Sequence, residues 1–296
     1  MIPEYVSEGY KSSWQEEEFC PLLFSSLGTV FFSLLADESS MAATFPMQAG
    51  GEKAVLPFSL ALQPIINVTT GTAFSYEALV RGPQGQSAAS IFSRLKEEDL
   101  LAFDQCCRTR AMTLAGNLGI LKTDACLSIN FLPRVIRTPS LCSEMTVTTA
   151  QTLNFPLERV IFEVAESERV LQQDKLHEVA MEYRKRGFRI AITADDLSYI
   201  HSRKITRDTL HADILKLDMA ITRNLNQRPR AQTMLASLRA ACAAEGIELI
   251  AEGVENTEEY MTLLRCGVTL MQGYLFAMPA FESLPSFELP TMPSDA

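Results

Sequence analysis

Acidic side chains stand at the ends of several short apolar runs of this chain. Glu77 lies in Ser-Tyr-Glu-Ala-Leu-Val-Arg, Glu163 lies in Ile-Phe-Glu-Val, and Glu252 follows Leu-Ile-Ala. Asn130 closes Leu-Ser-Ile-Asn, and Lys216 lies in Leu-Lys-Leu-Asp. A single carboxylate is usually a solvated surface group, but carboxylates gathered in one place repel each other unless divalent cations neutralise them. The repeated placement therefore predicts an acidic metal site.

Oxygen ligands of this kind suit Mg²⁺ or Mn²⁺ better than zinc. Two such ions, about 3.5–4 Å apart, are a common device for cleaving phosphodiesters, because they activate a water and neutralise the phosphate. Lys216 could hold or help deprotonate the attacking water, or stabilise the developing negative charge. Arg81, four residues after Glu77, could hold a phosphate oxygen through its fork of donors. The spacing leaves the substrate open.

Further polar residues follow the same pattern at other apolar runs. Asp195 and Asp196 come directly after Ile-Ala-Ile-Thr-Ala, Asp218 ends Leu-Lys-Leu-Asp, and Gln272 follows Leu-Met. These residues join the candidate site if the runs are strands whose ends meet.

The runs recur from Leu56 onward and alternate with stretches of helical spacing, which predicts parallel strands joined by helical crossovers. Eight runs of this kind predict a TIM-like (β/α)8 barrel, in which the C-terminal strand ends converge on one face. The first two runs are joined only by a short link around Thr69–Gly71, as in a hairpin, so one strand is expected to be antiparallel. The predicted strands are Leu60–Val68, Phe74–Val80, Cys126–Phe131, Val160–Val164, Phe188–Thr193, Ile214–Leu217, Glu248–Ala251 and Thr269–Met271, and the helical stretches include Ala88–Leu118, Lys175–Arg186 and Arg230–Glu245.

The predicted barrel occupies residues 56–290, after an N-terminal extension of residues 1–55 and before a tail of residues 291–296. Within the extension, Met41–Gly51 is predicted to be a linker. The apolar run Leu22–Ala36 is too short to span a bilayer, which takes about 20 apolar residues. It is predicted to be a helix that packs on the body, with membrane association as the alternative.

The composition restricts the class of protein. The chain has 296 residues, 47% of them hydrophobic, which is enough for one large core. The net charge of −10 without a basic stripe argues against binding to duplex nucleic acid. The seven cysteines lack a CxxC pair, and there are only three histidines. This usage predicts reduced thiols and a cytoplasmic protein, without a zinc site.

Motifs spread over most of the chain, from Leu56 to Pro279, resemble those of the EAL-domain family of cyclic di-GMP phosphodiesterases. In chain order, the motifs are Gln63-Pro64-Ile65, Glu77-Ala78-Leu79-Val80-Arg81, Ser128-Ile129-Asn130, Phe162-Glu163-Val164-Ala165-Glu166-Ser167, Lys216-Leu217-Asp218, Ala251-Glu252-Gly253-Val254-Glu255 and Gln272-Gly273-Tyr274.

The resemblance implies a barrel that binds cyclic di-GMP at its open end and, with two Mg²⁺ or Mn²⁺ ions, hydrolyses it to linear pGpG. It also implies a homodimer and an upstream sensor or regulatory protein partner. By position, the implied metal ligands are Glu77, Asn130, Glu163, Asp195, Asp196 and Glu252; the catalytic residues are Lys216, Glu252 and Gln272; the substrate contacts are Gln63, Leu79 and Arg81; and the loop-supporting residues are Glu166, Asp218 and Glu255.

One departure from the family concerns its paired aspartates, which are followed there by Phe-Gly-x-Gly. Counting from Gly187 without a gap puts Thr193 and Ala194 where the aspartates belong. Counting back from Lys216 finds more residues than the family spacing allows, so an insertion before Asp195 would restore both aspartates as ligands.

The two registers predict opposite activities and leave three hypotheses open. The chain is an active phosphodiesterase, a degenerate domain that binds cyclic di-GMP as a receptor, or a regulator that acts through a protein partner.

Overall fold

A computed structural model describes residues 43–47, 55–132, 136, 138–164, 173–197 and 206–290. The predicted N-terminal helix at Leu22–Ala36 and the tail lie outside these residues. Within the described part, no helix is both long and apolar enough to cross a membrane.

The strands of the described chain join into one sheet. They are β1 (Ala43–Pro46), β2 (Val55–Asn67), β3 (Thr72–Arg81), β4 (Cys126–Asn130), β5 (Val160–Val164), β6 (Arg189–Ala194), β7 (Ile214–Leu217), β8 (Glu248–Ala251), β9 (Leu270–Met271) and β10 (Ala280–Phe281). The α-helices are α1 (Ala88–Phe92), α2 (Leu100–Asn117), α3 (Pro139–Thr152), α4 (Gln173–Lys185), α5 (Arg207–Leu210), α6 (Met219–Thr222), α7 (Pro229–Ala244) and α8 (Thr257–Arg265).

Strands β3 to β9 run parallel to one another in chain order, and β2 closes the barrel by pairing antiparallel with both β3 and β9. The closed sheet of eight strands, with one strand antiparallel, confirms the predicted barrel. The reversal between β2 and β3 is a short turn. The side chain of Asn67 accepts the backbone N–H of Thr69 at 3.0 Å, and Gly71 adopts a φ of +70°, which glycine adopts without strain.

The inside of the barrel is filled by small and aliphatic side chains below the mouth, with Ile161, Ile214 and Ile250 almost fully buried there. Side chains of a strand alternate between its two faces. The residue two positions further along each of these strands therefore also points inward, and it lies at the C-terminal end. Those residues are Glu163, Lys216 and Glu252. The apolar layer thus forms the floor beneath a polar mouth.

Two local predictions need correction. Ala43–Pro46 are not linker, because they form β1 along the first residues of β2, where Phe45 is buried with its ring 5.4 Å from that of Phe103. The predicted helical stretch Ala88–Leu118 is two helices, since α1 ends at Phe92 and α2 begins at Leu100.

Candidate functional site

Four charged side chains meet at the mouth of the barrel. Glu77 lies in β3, Glu163 in β5 and Lys216 in β7, and Glu252 directly follows β8. Glu77, Glu163 and Lys216 are at most 8% exposed, and the side chain of Glu252 is 20% exposed. The structure therefore brings together residues that are far apart in the sequence, as the strand-end pattern predicts.

The ammonium group of Lys216 contacts all three carboxylates. Its Nζ lies 2.5 Å from Glu163 Oε2, 2.6 Å from Glu252 Oε1 and 3.3 Å from Glu77 Oε2. Three carboxylates and one ammonium carry a formal charge of −2 when all are ionised. The cluster is thus an anionic site whose only cation among the described residues in contact with it is Lys216.

Two carboxamides hold the carboxylate of Glu77 in place. Asn130, at the end of β4, donates from Nδ2 to Glu77 Oε1 at 2.8 Å. Gln272, directly after β9, donates from Nε2 to Glu77 Oε2 at 2.9 Å. Each oxygen of Glu77 therefore has a donor, and the carbonyl oxygens of both carboxamides remain available as acceptors or ligands.

The protonation of the cluster follows from burial and charge. Burial raises the pKa of Glu163, and the neighbouring Glu77 raises it further, to about 8 despite the attraction of Lys216. Burial also acts to raise the pKa of Glu77, but Lys216 and the two carboxamides outweigh it and leave that pKa lowered. Burial acts to lower the pKa of Lys216, yet the three carboxylates hold it well above its usual value. Lys216 is therefore charged at neutral pH.

The cluster fits a divalent cation. One oxygen from each of Glu77, Glu163 and Glu252 lies within 4.8 Å of the others. Glu163 Oε1 is buried and has no hydrogen-bond partner among the described residues. A buried carboxylate oxygen without a partner is costly, and a metal ion would satisfy it. The donor set is all oxygen, which favours Mg²⁺ or Mn²⁺.

Strand β6 places Thr193, rather than an aspartate, beside the cluster. Ala191 pairs with Glu163 of β5, and Thr193 pairs with Lys216 of β7. Asp195 and Asp196 follow the end of β6, and both are exposed. They are not among the three carboxylates that converge in the described chain. The backbone pairing thus corresponds to the register without an insertion in the strand.

The predicted substrate-contacting residues lie in β2 and β3, the first two strands of the barrel. Gln63 is buried, pairs with Glu77 across the β2–β3 ladder and donates from Nε2 to Ala277 O at 3.1 Å. Leu79 and Arg81 are half-buried in β3, and the guanidinium of Arg81 donates to the carbonyl of Val80 at 2.8 Å. Their role toward a substrate remains a prediction.

The predicted loop-supporting residues make local contacts. Asp218 caps α6 by accepting the N–H of Ala220 at 2.8 Å. Glu255 forms an ion pair with Arg223 at 2.7 Å. Glu166 lies outside the described residues.

One supporting residue could not be found from the sequence. Thr222, the last residue of α6, donates its hydroxyl to the backbone carbonyl of Glu252 at 2.6 Å and is fully buried. It holds the segment that carries a cluster carboxylate. The sequence gives no signal for it, because the two residues belong to different crossovers and a single threonine has no distinctive spacing.

Residues 56–279 match the EAL domain, and the chain belongs to this family. It is 28% identical to the probable cyclic di-GMP phosphodiesterase PdeD of Escherichia coli K12, over 75% of this chain and 41% of that protein. It is 24% identical to the blue light- and temperature-regulated antirepressor BluF of the same organism, over 78% of this chain and 56% of BluF. The chain thus spans about half the length of these two relatives.

Two solved structures show the same fold. A standalone versatile EAL protein from Vibrio cholerae O395, in its c-di-GMP-bound form, is 38% identical with a TM-score of 0.69, covering 78% of this chain and 95% of that one. The manganese and cy-diGMP complex of Klebsiella pneumoniae BlrP1 at pH 9.0 is 28% identical with a TM-score of 0.69, covering 81% of this chain and 59% of that one.

Proposed function

We propose that the mouth of this barrel binds cyclic di-GMP together with a divalent cation and hydrolyses it only slowly. The observation that carries the proposal is the pairing of Thr193 with Lys216, which leaves the end of β6 without a carboxylate beside the cluster.

Binding of cyclic di-GMP is supported by the family and by the Vibrio cholerae and Klebsiella pneumoniae proteins, whose structures contain this ligand. The family resemblance implies that Gln63, Leu79 and Arg81 contact this ligand. The ligand carries two phosphodiester groups, so the anionic cluster would repel it unless a cation is present. Ligand binding is therefore expected to depend on metal.

The residues that would hold the metal are Glu77, Asn130, Glu163 and Glu252. A divalent ion bound there would neutralise a phosphate oxygen and lower the pKa of a water. Gln272 and Asn130 fix the orientation of the Glu77 carboxylate. Lys216 supplies a permanent positive charge beside the carboxylates, where negative charge would develop on the phosphate.

Slow hydrolysis is supported by the chemistry of β6. A threonine hydroxyl is neutral and a weaker ligand for a hard cation than a carboxylate, and Ala194 offers no ligand. Two-metal cleavage needs enough carboxylate to hold both ions close together. The described residues supply three carboxylates to one cluster, which favours occupancy by a single ion.

An active phosphodiesterase that forms pGpG is the second candidate. The observation in its favour is that Lys216 contacts all three glutamates, so the lysine and the glutamates of the predicted site lie together. Asp195 and Asp196 would serve this function if they reached the mouth.

The deciding experiment measures binding and turnover on the same protein. The purified chain is titrated with cyclic di-GMP by calorimetry in Mn²⁺ and in EDTA, and pGpG is followed by chromatography. We expect metal-dependent binding with slow turnover. The variant T193D, at the position paired with Lys216, should increase turnover at least tenfold, while the control variant D195N/D196N should leave it unchanged.

Other outcomes assign other functions. Rapid turnover by the unaltered protein that is lost in D195N/D196N would establish the phosphodiesterase. Absence of both binding and turnover would favour a regulator that acts through a protein partner. Loss of metal binding is expected in E77A, and retention of binding there would refute the metal site. A homodimer and an upstream sensor remain predictions from the family resemblance, and a cytoplasmic location remains a prediction from the cysteine usage.

A further inference from the structure

A buried arginine lies behind the mouth, on the outer side of the barrel strands. Arg108, in α2, is 1% exposed. Its Nη2 forms an ion pair with Asp104 Oδ2 at 2.5 Å, one turn earlier in the same helix. Its Nη1 donates to the hydroxyl of Tyr183 in α4 and to Thr146 Oγ1 in α3 at 3.4 Å. One side chain therefore joins three helices.

The same guanidinium lies over three aromatic rings, one in β5, one directly after β4 and one in α4. Its central carbon is 5.3 Å from the ring centre of Phe131, 5.0 Å from that of Phe162 and 5.4 Å from that of Tyr183. These are cation–π distances, and such contacts are strongest where the cation is desolvated. The arginine thus links the helical layer to the ends of β4 and β5.

Two of these rings are the sequence neighbours of candidate metal ligands. Phe131 directly follows Asn130, and Phe162 directly precedes Glu163. Adjacent side chains of a strand point to opposite faces. When the rings are held against Arg108 outside the barrel, Asn130 and Glu163 are therefore turned toward the mouth.

The backbone of this region is fixed by the same group of residues. Asp104, the partner of Arg108, accepts the N–H of Leu132 on Oδ1 at 3.3 Å. The N–H of Phe131 donates to the carbonyl of Glu163 at 3.1 Å. Asp104, held by its ion pair with Arg108, therefore fixes the backbone directly after Asn130. The same backbone segment is hydrogen-bonded to Glu163, the second candidate ligand.

We propose that Arg108 is a positioning residue for the metal site, which holds the ends of β4 and β5 so that Asn130 and Glu163 meet Glu77. A buried ion pair is a poor way to gain stability, because apolar residues of the same volume often stabilise a protein equally or better. Unlike apolar side chains, Arg108 and Asp104 form directional hydrogen bonds. Arg108 donates to Tyr183, and Asp104 accepts from the backbone N–H of Leu132. The inference rests on the metal site proposed above.

The test compares R108K and Y183F with the unaltered protein. Lysine keeps the charge of Arg108 but lacks its fork and planar face, and phenylalanine keeps the ring of Tyr183 but lacks the hydroxyl. Mn²⁺ affinity is measured by calorimetry. Residues that orient metal ligands typically change metal affinity 10–100-fold, so we expect a loss of at least tenfold in R108K and a smaller loss in Y183F. Hydrogen exchange of the segment 126–132, measured in EDTA, should become faster in both.

L238A controls for stability alone. Leu238 is 2% exposed in α7, far along the chain from this group, and its truncation creates a cavity. We expect L238A to lower the melting temperature while leaving Mn²⁺ affinity within twofold and exchange at 126–132 unchanged.

Unchanged Mn²⁺ affinity in R108K, or an equal loss in L238A, would overturn the positioning role. If the unaltered protein fails to bind Mn²⁺, the proposed metal function fails. The exchange measurement then decides the positioning role by itself, because unchanged exchange in R108K refutes it.

Discussion

Replacing Lys216 by methionine should convert the mouth of the barrel into a site that depends on metal for its stability. The ammonium lies 2.5–3.3 Å from three carboxylate oxygens, and the side chain is 1% exposed. Methionine has a similar length and no charge. The K216M protein would keep the packing of the strand and leave three carboxylates without a cation.

The size of the effect follows from the burial of the group. Removing one partner of a buried ion pair costs about 3–5 kcal/mol, because the remaining charge is uncompensated. The three carboxylates can relieve part of this cost by taking up protons, as carboxylates crowded together do. We therefore expect K216M to lose about 3 kcal/mol of unfolding free energy in EDTA. Mn²⁺ at about 100 times its Kd should restore about 2.7 kcal/mol.

The assay is urea denaturation followed by circular dichroism, in EDTA and in Mn²⁺. K185M is the matched control, since Lys185 is exposed at the end of α4 and surface changes of this kind stay within about 0.5 kcal/mol. We expect a larger stabilisation by Mn²⁺ in K216M than in the unaltered protein, because the ammonium no longer competes for the carboxylates. A K216M protein as stable in EDTA as K185M would refute the reasoning.

Three further predictions concern packing and ionisation. In G273A, the new Cβ would lie 1.9 Å from a backbone oxygen, whereas Gly116 in α2 has open space around it. Urea denaturation should therefore show that G273A loses about 3 kcal/mol of unfolding free energy. In the same assay, G116A should gain about 0.5–1 kcal/mol, because alanine favours the helix more than glycine does. E282Q should lose about 3 kcal/mol in the same assay, because Glu282 forms a mostly buried ion pair with Arg110 at 3.0 Å. Burial raises the pKa of Cys106 to about 12, so mass spectrometry should find it unalkylated by iodoacetamide at pH 8 until the protein is unfolded.

The barrel could be predicted from the sequence because its strands are short apolar runs separated by helical stretches. The hairpin of β2 and β3 was visible in the brief link around Thr69–Gly71. Strand β1 was not predicted, since its four residues carry too little pattern to distinguish a strand from a linker. Its burial depends on Phe103, which lies far along the chain.

The candidate site was predictable where a polar residue ends a strand or directly follows it, as at Asn130 and Glu252. It was not predictable at β6, where counting from the two ends of the segment gave different registers. The register comes from hydrogen bonds to β5 and β7, and those depend on residues elsewhere in the chain. Arg108 was missed for a similar reason, because a charged residue in a helix gives no sign of being buried until the elements around it are known.

Strand β2 has a consequence for how the chain is ordered in space. This strand of 13 residues pairs with β1, whose Ala43 lies opposite Phe58, and with β10, which lies opposite Ala61 and Leu62. The N–H of Glu282, directly after β10, donates to the carbonyl of Leu60. Ala43, the partner of Phe58, and Glu282 are therefore separated by roughly two strand residues, or about 7 Å along β2. A linker from residue 290 to residue 43, which keeps Leu284 and Phe287 packed against the core, with new ends opened at the exposed turn Thr70–Gly71, should give a circularly permuted protein with the same barrel. Elements from opposite ends of the described chain, β1 and β10, thus pair with one strand.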